Sequence, residues 1–183
     1  MIQIGQKRGT GLQSSIIEDV TNSQWSHTLV RFECHFCGLD SNGDAVTIPK
    51  DGIVEAWQPR VRKLDRLSDG HEKGTAIDFF SLRQPLNEVE FETFARFMCR
   101  QIGKRYDLSD ACAFLPGARH FGNPPSPGLT YWQYDRWFCS AVVSAGLELV
   151  GRKLFNFRPV WRIEPALVPE SLLIDPSFKT EFV

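Results

Sequence analysis

No stretch of this 183-residue sequence stays apolar long enough to cross a membrane as a helix, and the basic residues of the opening MIQIGQKRGTG lead into no apolar leader segment. We therefore expect no integral membrane segment and a cytoplasmic location. Charge of one sign is equally scarce. Lys and Arg number 21 against 22 Asp and Glu, for a net charge of -1, so the concentrated positive surface that phosphate backbones require is missing and no nucleic-acid partner is expected. The basic cluster Arg60, Arg62, Lys63 and Arg66 is offset by Asp65 and Asp69 and reads as a solvated face. Cysteines number five, which is odd for a fully paired framework, and a chain of this size needs no staples, so reduced thiols are expected. The Cys34-His35-Phe36-Cys37 motif has a spacing that serves metals, but Cys99 and Cys112 bring no close second pair and the remaining histidines are scattered. No metal and no cofactor are expected, and the two thiols are placed in or beside a strand.

What is present is an ordinary globular balance, 42% hydrophobic and 23% charged, which predicts one folded domain over residues 1–183. Residues 1–12 alternate only briefly and read as a strand or an arm; SSIIEDV at 14–20 reads as a short helix. Period-two alternation in WSHTLVRF predicts a strand over 25–32, with Trp25, His27, Leu29 and Arg31 on one face. DSNGD at 40–44 is a turn between that region and a strand at 45–48. IVEAW predicts a strand over 53–57 and AIDFFSL another over 76–82. DGHEKG at 69–74 reads as an exposed loop. Apolar residues at helical spacing predict a helix over 88–102, capped by Asn87 and ended by Gly103. The Pro- and Gly-rich segment 116–130 is a long surface loop forming a wall of any cleft beside it, and the tail 174–183 is surface-laid or frayed. The pattern is α+β, without repeats.

Three residues stand out chemically. In WQYDRWFCSAVVSAGLE, four aromatic residues run directly into Cys139, and the small and apolar residues that follow predict a helix starting at or just before it. Free amides and the positive end of the helix dipole favour a thiolate there, so Cys139 is either a nucleophile or a small buried hydrophobe. His27 lies in a strand among large apolar neighbours, as a base held in a fixed orientation or as a satisfied structural histidine. Glu55 sits between apolar residues on a short strand and either has a partner or faces water at an edge. If the helix of Cys139 packs across the sheet face bearing His27 and Glu55, the three form a thiol, base and orienting carboxylate.

SQWSHTLV, GIVEAW, GKRYD, RWFCSAVVSAG and IEPALVPESL, spread in this order over residues 10–173, resemble the circularly permuted branch of the NlpC/P60 papain-like superfamily, of the YiiX/YebB kind. The resemblance implies a permuted papain-like α+β fold in which a short antiparallel sheet packs against the helix carrying the cysteine. It implies Cys139 as nucleophile, His27 as base and Glu55 as third residue, with Asp44 in reserve for the orienting role. Ala141 departs from the acidic residue many members carry after the cysteine-serine pair. The implied activity is a cysteine hydrolase or acyltransferase acting on an amide, ester or thioester of a lipid-like or acylated small molecule. Alternatives are a peptidoglycan-type amidase or peptidase acting on a peptide substrate, and an inactive papain-like domain that only binds.

Overall fold

The computed structural model describes residues 1–8, 24–107, 129–156, 158–163 and 165–183. The helix expected at 14–20, most of the loop expected at 116–130, Cys112 and His120 lie outside the described residues. The first strand, β1 (Ile2–Arg8), is followed by β2 (Trp25–Phe32), the hairpin β3 (Phe36–Leu39) and β4 (Ala45–Ile48), β5 (Ile53–Trp57), β6 (Arg60–Leu64) and β7 (Ala76–Leu82). Helix α1 (Glu88–Gln101), the short strands β8 (Arg105–Tyr106) and β9 (Arg136–Trp137), helix α2 (Cys139–Leu149) and strand β10 (Ile174–Phe182) complete the chain. The main sheet has the order β10, β7, β1, β2, β5, β6, β8, β9 and is antiparallel except between β8 and β9.

Alternation along the strands divides the apolar residues into two cores. Ile4, Val30, Phe32, Val54, Ala56 and Phe80 face the helices and pack with Phe94, Phe97, Phe138, Cys139 and Val142. Leu29, Ile53, Leu64, Ile77 and Phe79 face the other way, into a smaller core that Leu67 and Val183 help to cover. Gly5 allows that second core to close, because a Cβ there would overlap Leu29 Cδ1 and touch Phe79.

Helix α1 begins with a capping box: Asn87 Oδ1 accepts from the Glu90 amide at 2.9 Å, and Glu90 Oε2 accepts from the Asn87 amide at 2.9 Å. Arg152 then holds the Glu90 carboxylate through Nη2 at 3.0 Å, tying the segment after α2 to the start of α1. Helix α2 is buried from Cys139 to Leu147, as its apolar and small residues require. Gly146 lets it approach α1 closely, since a Cβ there would stand 2.8 Å from the Phe94 ring. Its N-cap is Phe138, so the helix starts at Cys139 itself.

Two expectations are corrected by the sheet. Residues 174–182 are not frayed but form β10, which pairs with β7, and the backbone of Val183 bonds Gly74 and Thr75. Residues 60–64 are a strand whose alternation turns Arg62 inward, so the basic cluster is not wholly a solvated face.

Candidate functional site

Antiparallel register places His27 and Glu55 on one face. Strands β1 and β2 pair Lys7 with His27, and β5 pairs Glu55 with Arg62 and Trp57 with Arg60 on β6. Between β2 and β5 the pairing covers Val30 with Val54 and Arg31 with Ile53, and stops there. Beyond that point the two strands carry side chains toward one another instead of backbone bonds. His27 Nε2 lies 2.7 Å from Glu55 Oε2, with both side chains buried. The second carboxylate oxygen, Oε1, accepts from Arg62 Nε at 2.9 Å, and Arg62 Nη2 also donates to the Gly70 carbonyl at 3.0 Å. Glu55 is therefore not an edge residue in water, and it has the partner that its placement demanded.

A further group, missed in the sequence, completes the cluster. His71 was read as part of an exposed loop, yet its side chain is buried, with Nε2 3.3 Å from Glu55 Oε2. That approach is out of line for a hydrogen bond, and neither ring nitrogen has another partner. Trp57 packs edge-on against both rings, with centroids 4.8 Å from His27 and 5.5 Å from His71. Lys7 Nζ lies 4.8 Å from the centre of the Trp57 ring and the Arg62 guanidinium 5.0 Å from it. The signal for Arg62 was its period-two alternation in RVRKL; His71 had no comparable signal, because loop composition does not report what a loop folds over.

The electrostatics follow from burial and pairing. Burial raises the Glu55 carboxyl, but the hydrogen bond and charge of His27, together with His71, outweigh it and hold the group far below the ordinary carboxylate range. Burial pushes the His27 imidazole below its ordinary value against the opposing pull of Glu55, and His71 and Lys7 push in the same direction as burial. A neutral imidazole facing an ionised carboxylate carries its proton on Nε2, by assignment from the partner, which leaves Nδ1 with a free lone pair.

Cys139 occupies the first helical position of α2 and is fully buried. Its thiol faces backbone N–H groups of Thr28, Ser140 and Cys139 itself, which favour the thiolate, while burial works the other way and pushes the thiol up to about 12. The nearby Glu55 charge adds to that rise. Cys139 thus meets β2 at Thr28, the residue after His27. It does so from the helix face, whereas the register directs His27 and Glu55 to the opposite face. The expectation that α2 packs across the face bearing His27 is corrected accordingly, and no hydrogen bond joins Cys139 to His27 among the described residues.

The other sequence candidates are placed elsewhere. Asp44 lies exposed in the β3–β4 turn, where its amide donates to Asp40 Oδ1 at 3.0 Å. Trp25 leaves the face of His27 because the β1–β2 register shifts between Lys7 and Arg8; its indole donates to Asp78 at 2.8 Å. Trp132 and Trp137 pack on Phe97 of α1, and Trp137 Nε1 donates to Gln101. Cys37 sits in β3 and Cys34 just after β2, both as free thiols and beside strands as expected. Ala141 is buried against the helix-side core, where an acidic side chain would need a partner.

No family model and no curated protein matches the chain. Among solved structures, the crystal structure of metalloprotein yiiX from Escherichia coli O157:H7 superimposes with a TM-score of 0.61, covering 99% of this chain and 97% of that one at 16% identity. The chain shares its fold with yiiX. The architecture is therefore a yiiX-type α+β fold, a curled sheet packed against α1 and α2. Among the described residues no group of three or more His, Cys, Asp and Glu side chains is arranged to hold a metal ion, and no helix is long and apolar enough to cross a membrane. His27, His71 and Glu55 come nearest to a ligand set, but Glu55 already carries the Arg62 guanidinium, whose charge opposes a cation.

Proposed function

We propose that this permuted papain-like protein is a cysteine hydrolase or acyltransferase in which Cys139 is the nucleophile, His27 the base and Glu55 the residue that orients it. The observation that carries this reading is the 2.7 Å contact between His27 Nε2 and Glu55 Oε2, which leaves Nδ1 as the basic nitrogen on the residue next in the chain to Thr28, whose amide faces the thiol. Cys139 passes its proton to His27 Nδ1, and its sulfur adds to the carbonyl carbon of an amide, ester or thioester. The oxyanion is held by N–H groups at the start of α2, drawn from those that surround the thiol. His27 returns the proton to the leaving group as the bond to it breaks, giving a thioester on Cys139. Water or an acceptor, deprotonated by His27, then releases the acyl group.

The thiol is buried and held protonated on the helix side of β2, so the proton transfer requires β2 to shift until the thiol reaches Nδ1. An acyl or lipid-like substrate supplies apolar surface for that step, and this favours it over a peptidoglycan peptide. The test is hydrolysis of p-nitrophenyl esters of increasing chain length by wild type, Cys139→Ala and His27→Ala. Loss of turnover in both variants, with an acyl mass added to the Cys139 peptide of wild type, supports the assignment; undiminished turnover in Cys139→Ala rejects it.

A second reading, a binding domain without turnover, is favoured by one observation: Cys139 and His27 approach β2 from opposite faces. It predicts ester hydrolysis by wild type no faster than that by Cys139→Ala or His27→Ala.

A further inference from the structure

We infer that His71 is a positioning residue for the His27–Glu55 pair: its imidazole stands at the same carboxylate oxygen as His27 and, by competing for it, sets how firmly the base is held. This deepens the catalytic reading above and rests on it for its meaning in turnover, but not for its geometry. Glu55 Oε2 lies 2.7 Å from His27 Nε2 and 3.3 Å from His71 Nε2, while Oε1 is occupied by Arg62. A small rotation of the His71 ring brings its Nε2–H into line with Oε2, and both ring nitrogens are without another partner. One oxygen then serves two donors, and the hydrogen bond to His27 lengthens.

The surroundings confine that rotation. Trp57 stands edge-on to both imidazoles, whose centroids are 6.5 Å apart, so the two rings move in one aromatic slot. The His71 amide bonds the Leu67 carbonyl, Arg62 holds the carbonyl of Gly70, and the Val183 carbonyl accepts from the Gly74 amide. The charged and titratable groups gathered here are Lys7 from β1, His27 from β2, Glu55 from β5 and Arg62 from β6. Three of the four are basic or can become so, and Glu55 is the only acid among them. His71 therefore disfavours a proton on His27 and draws Glu55 away from it. Both effects make His27 harder to protonate.

The expected consequence has a definite sign. Removing His71 leaves Oε2 to His27 alone and removes the imidazole that disfavours charge on His27, so His27 takes up its proton at higher pH. The experiment follows the ring Cε1–H signals by NMR across pH 4–9 in wild type, His71→Phe and His71→Gln, each also with Cys139→Ala. Phe keeps the ring packing without a hydrogen bond, and Gln keeps a donor without the imidazole. We expect the His27 midpoint to rise by on the order of half to one pH unit in His71→Phe, with a smaller rise in His71→Gln. The acid limb of p-nitrophenyl butyrate hydrolysis should move with it. A His27 midpoint unchanged in both variants, whatever their thermal stability, overturns the inference and leaves His71 a packing residue. Ester hydrolysis that survives Cys139→Ala would reject the nucleophile instead, while the NMR titration still decides the role of His71.

Discussion

Glu55 meets His27 at 2.7 Å where the pairing of β2 with β5 has already ended at Val30 and Val54. The contact thus stands in for part of the sheet as well as serving the site. Removal of the carboxylate leaves two buried imidazoles and the half-buried Arg62 without their shared acid. Glu55→Ala is expected to lose about 3–5 kcal/mol of stability in urea unfolding, and Glu55→Gln, which keeps a hydrogen-bond acceptor, less. Equal and small losses in the two variants would show that the carboxylate is not a structural tie.

Acid should unfold the protein in two stages. His27 is held neutral in the folded state, below its ordinary value of 6.5, so the unfolded chain binds that proton more readily and stability falls as pH drops through about 6.5. Glu55 is ionised far below its ordinary value of 4.5; its contribution is complete above that pH and is lost as the solution becomes more acidic. A thermal midpoint measured from pH 8 to pH 3 should decline in both windows. His27→Gln should flatten the first decline and leave most of the second.

Thiol chemistry should sort by position. Cys37 is exposed, Cys34 is half-buried, and burial raises the thiols of Cys99 to about 11 and Cys139 to about 12. At pH 8 a thiol of that last kind is ionised on the order of one part in ten thousand. Among these four, peptide mapping after brief iodoacetamide treatment of the folded protein should find Cys37 first and Cys139 last. Rapid alkylation of Cys139 in the absence of any substrate would mean that the β2–α2 contact is open in solution.

The approach of α2 to α1 rests on a missing side chain. Gly146→Leu would drive a branched group into Phe94 and Phe97, which are both fully buried. We expect a loss of about 1–3 kcal/mol by chemical denaturation, without the change in His27 titration that a site variant gives. Unchanged stability would mean that the helices can separate at little cost.

The strands over 25–32, 45–48, 53–57 and 76–82 and the helix over 88–101 were legible because their periodicity comes from one face meeting a core. Asn87 was legible as the cap of that helix from its residue type and place. The His27–Glu55 pair was legible as a charge on a strand in need of a partner. His71 was not, because the loop DGHEKG has the composition of an exposed turn and is drawn inward by Arg62 on the preceding strand and by Val183, which is distant in the chain. The side of the sheet on which α2 lies was also hidden, since amphipathic spacing shows that a helix packs without showing against which face. Trp25 was misplaced by one register shift that alternation cannot foresee.

Val183 accepts a backbone bond from Gly74 and donates one to Thr75, close to His71. In biosynthesis, the residues of β2, β5 and β6 emerge well before those of β10. The loop of His71 gains its last anchor only after Val183 has been added and has cleared the ribosome. A nascent chain therefore carries His27 and Glu55 before the backbone bonds of Val183 to Gly74 and Thr75 can form.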